Sequence, residues 1–298
     1  MDVIKVSPRG CCYGVVDALQ MVRQAAKDLT LPRPIYILGR IVHNRHTVEE
    51  LTALGVITLD GPDRASILEQ VDTGTVIFTA HGVSPLIKQR AQERGLHCID
   101  STCPEVAVVH HLVCELVKNG YYILYVGKKG HPEPEGVLGE VSGHISLVEN
   151  IEDVDALVLT AAQQEKIAAT TQTTLSQWDT KRVIDYIKTR YPQAQAHLDI
   201  CSATQLRQEA VVAQVKGADL TIVVGDPRSD NTNRLVQVSE EEAGVSSVRI
   251  EDLSQLKREW LQGKKRIAVT SGASTPSRIT REVIHFLEQY QPEEDEQT

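Results

Sequence analysis

An α/β fold built from three similar lobes is predicted for this chain of 298 residues. Strand-like and helix-like runs alternate from one end to the other, which is typical of mostly parallel sheets flanked by helices. Cys12, Cys103 and Cys201 divide the chain into near-thirds, and each follows a predicted strand and precedes a predicted helix. This repeated position predicts three lobes with small sheets that each bring one sulfur to a shared centre.

The predicted strands are continuous apolar runs, as expected of strands that are covered on both faces. β-Branched and aromatic residues are frequent in them, which favours the extended conformation. In chain order the predicted strands are residues 2–7, 34–38, 75–79, 97–100, 121–126, 167–170, 197–200, 220–224 and 266–270.

Amphipathic helices are predicted between the strands. Three of them follow the cysteines, over residues 15–27, 105–118 and 205–216. Ser176, with Asp179 three residues later, resembles a capping box and predicts a further helix that ends at Arg190.

The lobe boundaries rest on the cysteine spacing alone. We place the lobes at residues 14–102, 103–197 and 198–290. Residues 291–298 are acidic and poor in apolar side chains, which predicts a disordered tail.

The bulk composition excludes several classes of partner. A formal net charge of −9 argues against nucleic acid or an anionic membrane as the main partner. No apolar run approaches the roughly 18 residues that a spanning helix needs. The N-terminus lacks the basic and apolar regions of a signal peptide, so we expect a reducing cytoplasm. Six cysteines in that compartment are more often reduced, metal-bound or catalytic than disulfide-bonded.

The three evenly spaced cysteines fit an iron–sulfur cluster better than a structural zinc site. A structural zinc takes four protein ligands, usually from CxxC pairs, and the sequence contains no such pair. Three thiolates on a four-iron cluster would leave one iron open as a Lewis acid. The alternative is that a cysteine is a small buried hydrophobe, which we expect for Cys98 and Cys114.

Polar residues at predicted strand ends suggest an anion site. Imidazoles donate hydrogen bonds to phosphate, and hydroxyls at helix N-termini do the same. A buried glutamate could serve as a general acid. The alternatives are structural histidines, ordinary helix caps and, for Glu135, a solvated loop carboxylate. The candidates are His43, His81, His131, Glu133, Thr173, Thr174, Ser229, Asn231, Thr232 and Ser274.

These loops together resemble the 4-hydroxy-3-methylbut-2-enyl diphosphate reductase (LytB-type) family. The matching segments are PRGCCYGV, IVHN, AHGVS, DSTCP, GHPEPEG, TQTTLS, ICSAT with RQEA, the stretch from Ser229 to RL, and GASTP. They extend from residue 8 to residue 276, so the resemblance covers nearly the whole chain.

The resemblance implies a complete site and a reaction. Three lobes in a pseudo-threefold arrangement would surround a central [4Fe-4S] cluster, and residues 1–13 would pack on the third lobe. The substrate's allylic hydroxyl would reach the open iron, with Thr173 positioning it and Glu133 supplying protons. Two electrons from ferredoxin or flavodoxin would remove the hydroxyl as water. The cluster ligands would be Cys12, Cys103 and Cys201, and the diphosphate ligands would be His43, His81, His131, Ser229, Asn231 and Ser274.

One position departs from the family's pattern. Asp230 stands where many members have a second serine, and a carboxylate beside a diphosphate would be repulsive. Asp230 is therefore expected to point away or to contribute only its N–H group. Two rival functions stay open from the residues: a three-cysteine Lewis-acid enzyme resembling quinolinate synthase, and a non-catalytic iron–sulfur sensor.

Overall fold

The structure is a computed structural model that describes residues 1–291. The strands are β1 (Asp2–Lys5), β2 (Ile35–Ile37), β3 (Val56–Thr58), β4 (Thr75–Phe78), β5 (His97–Asp100), β6 (Tyr122–Val126), β7 (Ile145–Val148), β8 (Ile167–Thr171), β9 (Gln195–Ala196), β10 (Leu220–Val224), β11 (Ser247–Ile250) and β12 (Arg266–Ser271). The α-helices are α1 (Tyr13–Lys27), α2 (Arg45–Ala53), α3 (Arg64–Leu68), α4 (Pro85–Glu93), α5 (Pro104–Lys118), α6 (Pro132–Leu138), α7 (Ile151–Ala156), α8 (Ala161–Glu165), α9 (Gln177–Arg190), α10 (Ser202–Gln214), α11 (Asp230–Glu241) and α12 (Ser277–Gln289).

The chain divides into two compact units. The first unit contains Met1–Cys12, His43–His46 and the described residues from Ser202 to Gln291. The second unit contains Tyr13–Val42 and Thr47–Cys201.

The first unit is built on one parallel sheet with the strand order β1-β12-β10-β11. The two ends of the chain meet in it, because β1 pairs with β12 in the register Val3 opposite Ile267. Residues from β10 and β12 pack with Ile279, Val283 and Leu287 of α12 in an aliphatic core.

The second unit contains two parallel sheets, with strand orders β3-β2-β4-β5 and β7-β6-β8-β9. Central strands are fully buried: β4 and β8 expose none of their residues. The predicted α/β fold with three small parallel sheets is therefore confirmed. The lobe boundaries stay a prediction, and the predicted tail beyond residue 291 lies outside the described residues.

The differences from the predicted elements are at sheet edges. β3, β7 and β11 were not predicted, and each is a partly exposed edge strand of three or four residues. The strand predicted at 197–200 is wrong, because pairing stops at the two-residue strand β9. Beyond it, the N–H of Asp199 is bonded to the Thr171 hydroxyl at 2.9 Å instead of to a strand backbone.

Within the described part of the chain, no helix is both long enough and apolar enough to cross a bilayer.

Candidate functional site

Cys12 lies in the first unit, between β1 and α1. Its N–H donates to the carbonyl of Ala273 at 3.0 Å, and the guanidinium of Arg207 donates to the carbonyl of Gly10 at 2.8 Å. Because Arg207 lies in α10 and Ala273 follows β12, two segments from the C-terminal third of the chain fix the backbone around Cys12. Its position at the carboxyl end of a parallel strand is the one predicted from the sequence.

Cys103 and Cys201 occupy comparable positions in the second unit. Cys103 caps the N-terminus of α5, with Pro104 as the first helical residue, and its N–H donates to the carbonyl of Ala80 at 3.0 Å. The N–H of Cys201 donates to the carbonyl of Thr173 at 3.1 Å. A helix N-terminus favours the thiolate over the thiol, and the thiolate is the form that binds metals.

Gly14 provides a close-fitting wall for the Cys103 sulfur. A Cβ atom on Gly14 would lie under 3.0 Å from Sγ of Cys103. Only glycine therefore leaves room for this sulfur in its present position. The sequence interpretation missed Gly14, although a glycine in the first turn of a helix is unfavourable and so needs a local reason.

The two remaining cysteines of the second unit differ from the expectation of buried hydrophobes, because Cys98 is only partly buried and Cys114 is exposed. Burial raises the pKa of Cys98, and burial followed by the charge of Glu140 raises the pKa of Cys114. A raised pKa disfavours the thiolate that binding to iron requires.

Glu133 and Thr173 form a hydrogen-bonded pair in the second unit. Glu133 is fully buried, and Thr173 is 3% exposed. The Thr173 N–H donates to Oε1 of Glu133 at 2.7 Å, and its hydroxyl donates to Oε2 at 2.9 Å. The Tyr125 hydroxyl lies 3.5 Å from Oε1, and burial, then the charge of Glu133, raises the pKa of Tyr125 well above its ordinary value. Tyr125 was not singled out in the sequence because it lies within an apolar strand.

His81 and His131 are brought together in the second unit. Their ring centroids are 5.2 Å apart and the rings are perpendicular. His131 is the N-cap of α6, and its Nδ1 accepts a hydrogen bond from the N–H of Glu133 at 3.2 Å. With Nδ1 as an acceptor, the proton of the neutral ring is on Nε2, which can donate to an anion.

His43, Ser229 and Ser274 are brought together in the first unit. The Ser274 hydroxyl donates to the carbonyl of His43 at 3.1 Å and lies 3.4 Å from Oγ of Ser229. Ser229 caps α11 and accepts from the N–H of Thr232, so its predicted capping role and its place in the cluster coexist. Asn231 accepts from the Thr204 hydroxyl at 3.0 Å and belongs to the first turn of α11.

Arg228 forms two hydrogen bonds within the loop that precedes α11. Arg228 donates to both oxygens of Asp226, at 3.0 Å from Nε and 2.9 Å from a terminal nitrogen. Burial by itself raises the pKa of Asp226, but the hydrogen bonds from the Arg228 side chain and N–H hold it below the ordinary value.

Two carboxylate residues, Glu135 and Asp230, lie in helices rather than in loops. The segment with Glu133 and Glu135 is the helix α6, and Glu135 is partly buried and accepts from the N–H of Arg64 at 2.8 Å. Asp230, the departure from the family pattern, is buried as the first residue of α11. A carboxylate in this position interacts favourably with the helix dipole, which gives Asp230 a structural reason to be there.

A sequence model of the LytB protein family matches residues 3–288. The chain belongs to the LytB family. The family predicted from the sequence is thereby confirmed, and LytB proteins depend on iron–sulfur chemistry. Membership also sets aside the quinolinate synthase-like enzyme and the sensor.

Two curated relatives of this LytB chain have the same name. A 4-hydroxy-3-methylbut-2-enyl diphosphate reductase of Symbiobacterium thermophilum is 57% identical over 296 residues, which cover 99% of this chain and 100% of that protein. The reductase of the same name from Bacillus subtilis is 57% identical over 294 residues, covering 99% and 93% of the two chains.

Solved structures agree with this LytB fold. The E-1-hydroxy-2-methyl-but-2-enyl-4-diphosphate reductase of Plasmodium falciparum superposes with a TM-score of 0.89 at 33% identity, over 97% of this chain and 88% of that one. A second structure, described as the terminal enzyme of the non-mevalonate pathway, gives a TM-score of 0.68 at 33% identity, over 97% and 99% of the chains.

Proposed function

We propose that the chain reductively removes the hydroxyl group of 4-hydroxy-3-methylbut-2-enyl diphosphate, giving isopentenyl and dimethylallyl diphosphate. Two electrons and two protons enter; the C–O bond breaks, the hydroxyl leaves as water, and one proton is added to the allylic carbon skeleton. The relatives' shared name supports the substrate. The buried Glu133–Thr173 pair is the observation that carries the chemistry, because it places a proton-holding group beside a hydroxyl.

We assign a [4Fe-4S] cluster to Cys12, Cys103 and Cys201. Each of the three follows a strand end and immediately precedes a helix or caps its N-terminus, and the Gly14 wall leaves space for one of the sulfurs. When bound, such a cluster supplies the electrons, and with three thiolates it also offers one open iron as a Lewis acid. The chain's own residues provide substrate binding and proton transfer.

Glu133 is assigned as the proton donor. Its Oε2 is 2.9 Å from Oγ1 of Thr173. When Oε2 carries a proton it donates to Oγ1, and Oγ1 passes its own hydroxyl proton to the leaving hydroxyl, so one proton is moved without being lost to solvent. The Thr173 N–H fixes the other oxygen, Oε1, and so orients the carboxyl group. Burial of both side chains excludes bulk water from the transfer.

The diphosphate end of the substrate is assigned to the histidines and to the hydroxyl and amide donors. Ring N–H groups of His81 and His131 and the Ser229 and Ser274 hydroxyls are the types of donor that phosphate oxygens accept. The full set is His43, His81, His131, Ser229, Asn231 and Ser274.

Ferredoxin or flavodoxin is the proposed electron donor, and the cytoplasm the proposed compartment. The net charge of −9 gives no support to nucleic acid or an anionic membrane as a partner.

The test is an anaerobic assay of cluster-loaded protein with the hydroxylated diphosphate and a reduced viologen dye. We expect Glu133→Gln to bind substrate normally and to turn over about 10²–10⁴-fold more slowly, because a general acid is lost. Glu135→Gln, on the same helix, is the matched control and should turn over as the wild type does. Absence of any substrate consumption by the wild type would refute the function, whereas near-normal turnover by Glu133→Gln would refute only the proton donor.

A further inference from the structure

His110 occupies a space between two segments that carry proposed site residues. It is a buried residue of α5 in the second unit. A Cβ atom on Gly82 would lie 2.8 Å from Nε2 of His110, and one on Gly136 would lie 3.2 Å from its Cε1. Both glycines therefore pack directly against the imidazole ring.

The two glycines belong to the segments of the histidine pair and the glutamate. Gly82 follows His81 directly, has a φ of 76°, and closes a turn with its N–H bonded to the carbonyl of Thr79 at 3.0 Å. Gly136 lies in α6, three residues after Glu133. The ring of His110, here called the spacer, thus packs against both the turn of His81 and the helix that begins after His131. It lies beside the place where these segments approach each other directly, because a Cβ atom on Gly136 would also lie 3.4 Å from the backbone carbonyl carbon of Gly82.

A carboxylate fixes the orientation of this ring. Nδ1 of His110 lies 2.7 Å from Oε1 of Glu140, which also accepts from the Cys114 thiol through Oε2 at 3.6 Å. The side chains of His110 and Glu140 are 10% and 15% exposed. Nε2 faces the glycines, and among the described residues it has no hydrogen-bond partner.

We propose that His110 is a positioning residue whose ring sets the separation of His81 from α6, and with it the geometry of the His81–His131 pair. The inference rests on the proposed function, in which this pair binds the diphosphate. Protein interiors are close-packed, so removing the ring or adding a methyl group against it shifts the turn and the helix relative to each other. The 5.2 Å separation of the two rings then changes.

The experiment uses complementary changes in volume on the two sides of one contact. His110→Ala removes the spacer, Gly136→Ala places a methyl group against it, and the double variant His110→Ala/Gly136→Ala combines the lost and added volume. We expect each single variant to weaken binding of inorganic diphosphate about tenfold to hundredfold, which is the loss expected when one hydrogen bond to a charged group is misplaced. The double variant should bind more tightly than either single variant.

Two controls separate spacing from charge and from fold. His111→Ala removes an exposed histidine from the same helix and should bind like the wild type. Glu140→Gln retains both the ring and a hydrogen-bond acceptor, so it should also bind like the wild type. Titration calorimetry gives the dissociation constants, and iron content and melting temperature are measured in parallel.

Unchanged diphosphate binding by His110→Ala would overturn the inference, and so would a double variant that binds no better than the single variants while all three are folded. Crystal structures of the variants provide a readout that does not depend on the reaction. If the His81–His131 separation is unchanged in His110→Ala, the spacer role fails even when the reductase activity is established. A wild type that consumes no substrate would refute the proposed function, but a displaced His81 would still support the spacer.

Discussion

Replacing Gly14 with alanine separates the stability of the fold from loading of the cluster. Alanine in place of glycine favours a helix by about 0.5–1 kcal/mol, whereas overpacking costs about 1–3 kcal/mol. The free energy of unfolding of the apo protein should therefore fall by no more than about 2.5 kcal/mol. Because α1 begins at Tyr13, the helix itself should tolerate the new methyl group.

The cluster should tolerate the same methyl group poorly. The new Cβ would lie under 3.0 Å from Sγ of Cys103, whereas ordinary contacts begin near 3.4 Å, so the two atoms must separate by more than the 0.4 Å between these limits. Metal–ligand distances tolerate changes of only about 0.2 Å. We therefore expect loss of cluster binding without loss of the fold.

The assay is anaerobic reconstitution followed by measurement of iron and sulfide per chain, with thermal unfolding of the apo protein measured in parallel. Gln20→Ala, at an exposed position of the same helix, is the matched control and should bind as much iron as the wild type. If Gly14→Ala binds a full complement of iron, the inferred role of this wall is wrong. If its apo form is unfolded, the defect lies in packing of the helix instead.

Three further experiments test the site. Cys103→Ser should lose the cluster while Cys114→Ser keeps it, as measured by iron content; equal loss would overturn the ligand assignment. Thr173→Val should slow dye-driven turnover roughly tenfold to hundredfold, because a buried carboxylate loses a hydrogen bond worth about 1.5–3 kcal/mol, whereas Thr173→Ser should retain most activity. Arg228→Gln should lower the free energy of unfolding measured in denaturant at pH 7. The pKa of Asp226 is held below its ordinary value of 3.8, so this stabilisation is present above that pH and is lost as the pH falls through the folded-state pKa; a difference that persisted in acid would contradict this explanation.

The central strands and the helices after the cysteines could be predicted from the sequence. β4, β6, β8, β10 and β12 are buried, so nearly every residue is apolar or β-branched and the signal is continuous. β3, β7 and β11 are edge strands that are only partly covered, and exposed positions weaken the apolar pattern. Pairing with a neighbour, which a single segment cannot reveal, defines them as strands.

The candidate site divides in a similar way. Glu133, Thr173 and the histidines were found because each has a side chain with recognisable chemistry near a strand end. Gly14 has no side chain, and its importance is visible only from the sulfur that lies against it. Tyr125 and His110 were missed because an aromatic residue in a strand and a histidine in a helix ordinarily indicate core packing.

The pairing of β1 with β12 affects the order in which the protein can be assembled. A strand made at the start of synthesis waits for a partner that begins at Arg266. The backbone at Cys12 is bonded to Ala273, so this thiol reaches its final position only after nearly all of the chain has left the ribosome. Assembly of the proposed cluster would therefore be a late event, and a prematurely terminated chain that lacks β12 leaves Cys12 without a fixed place.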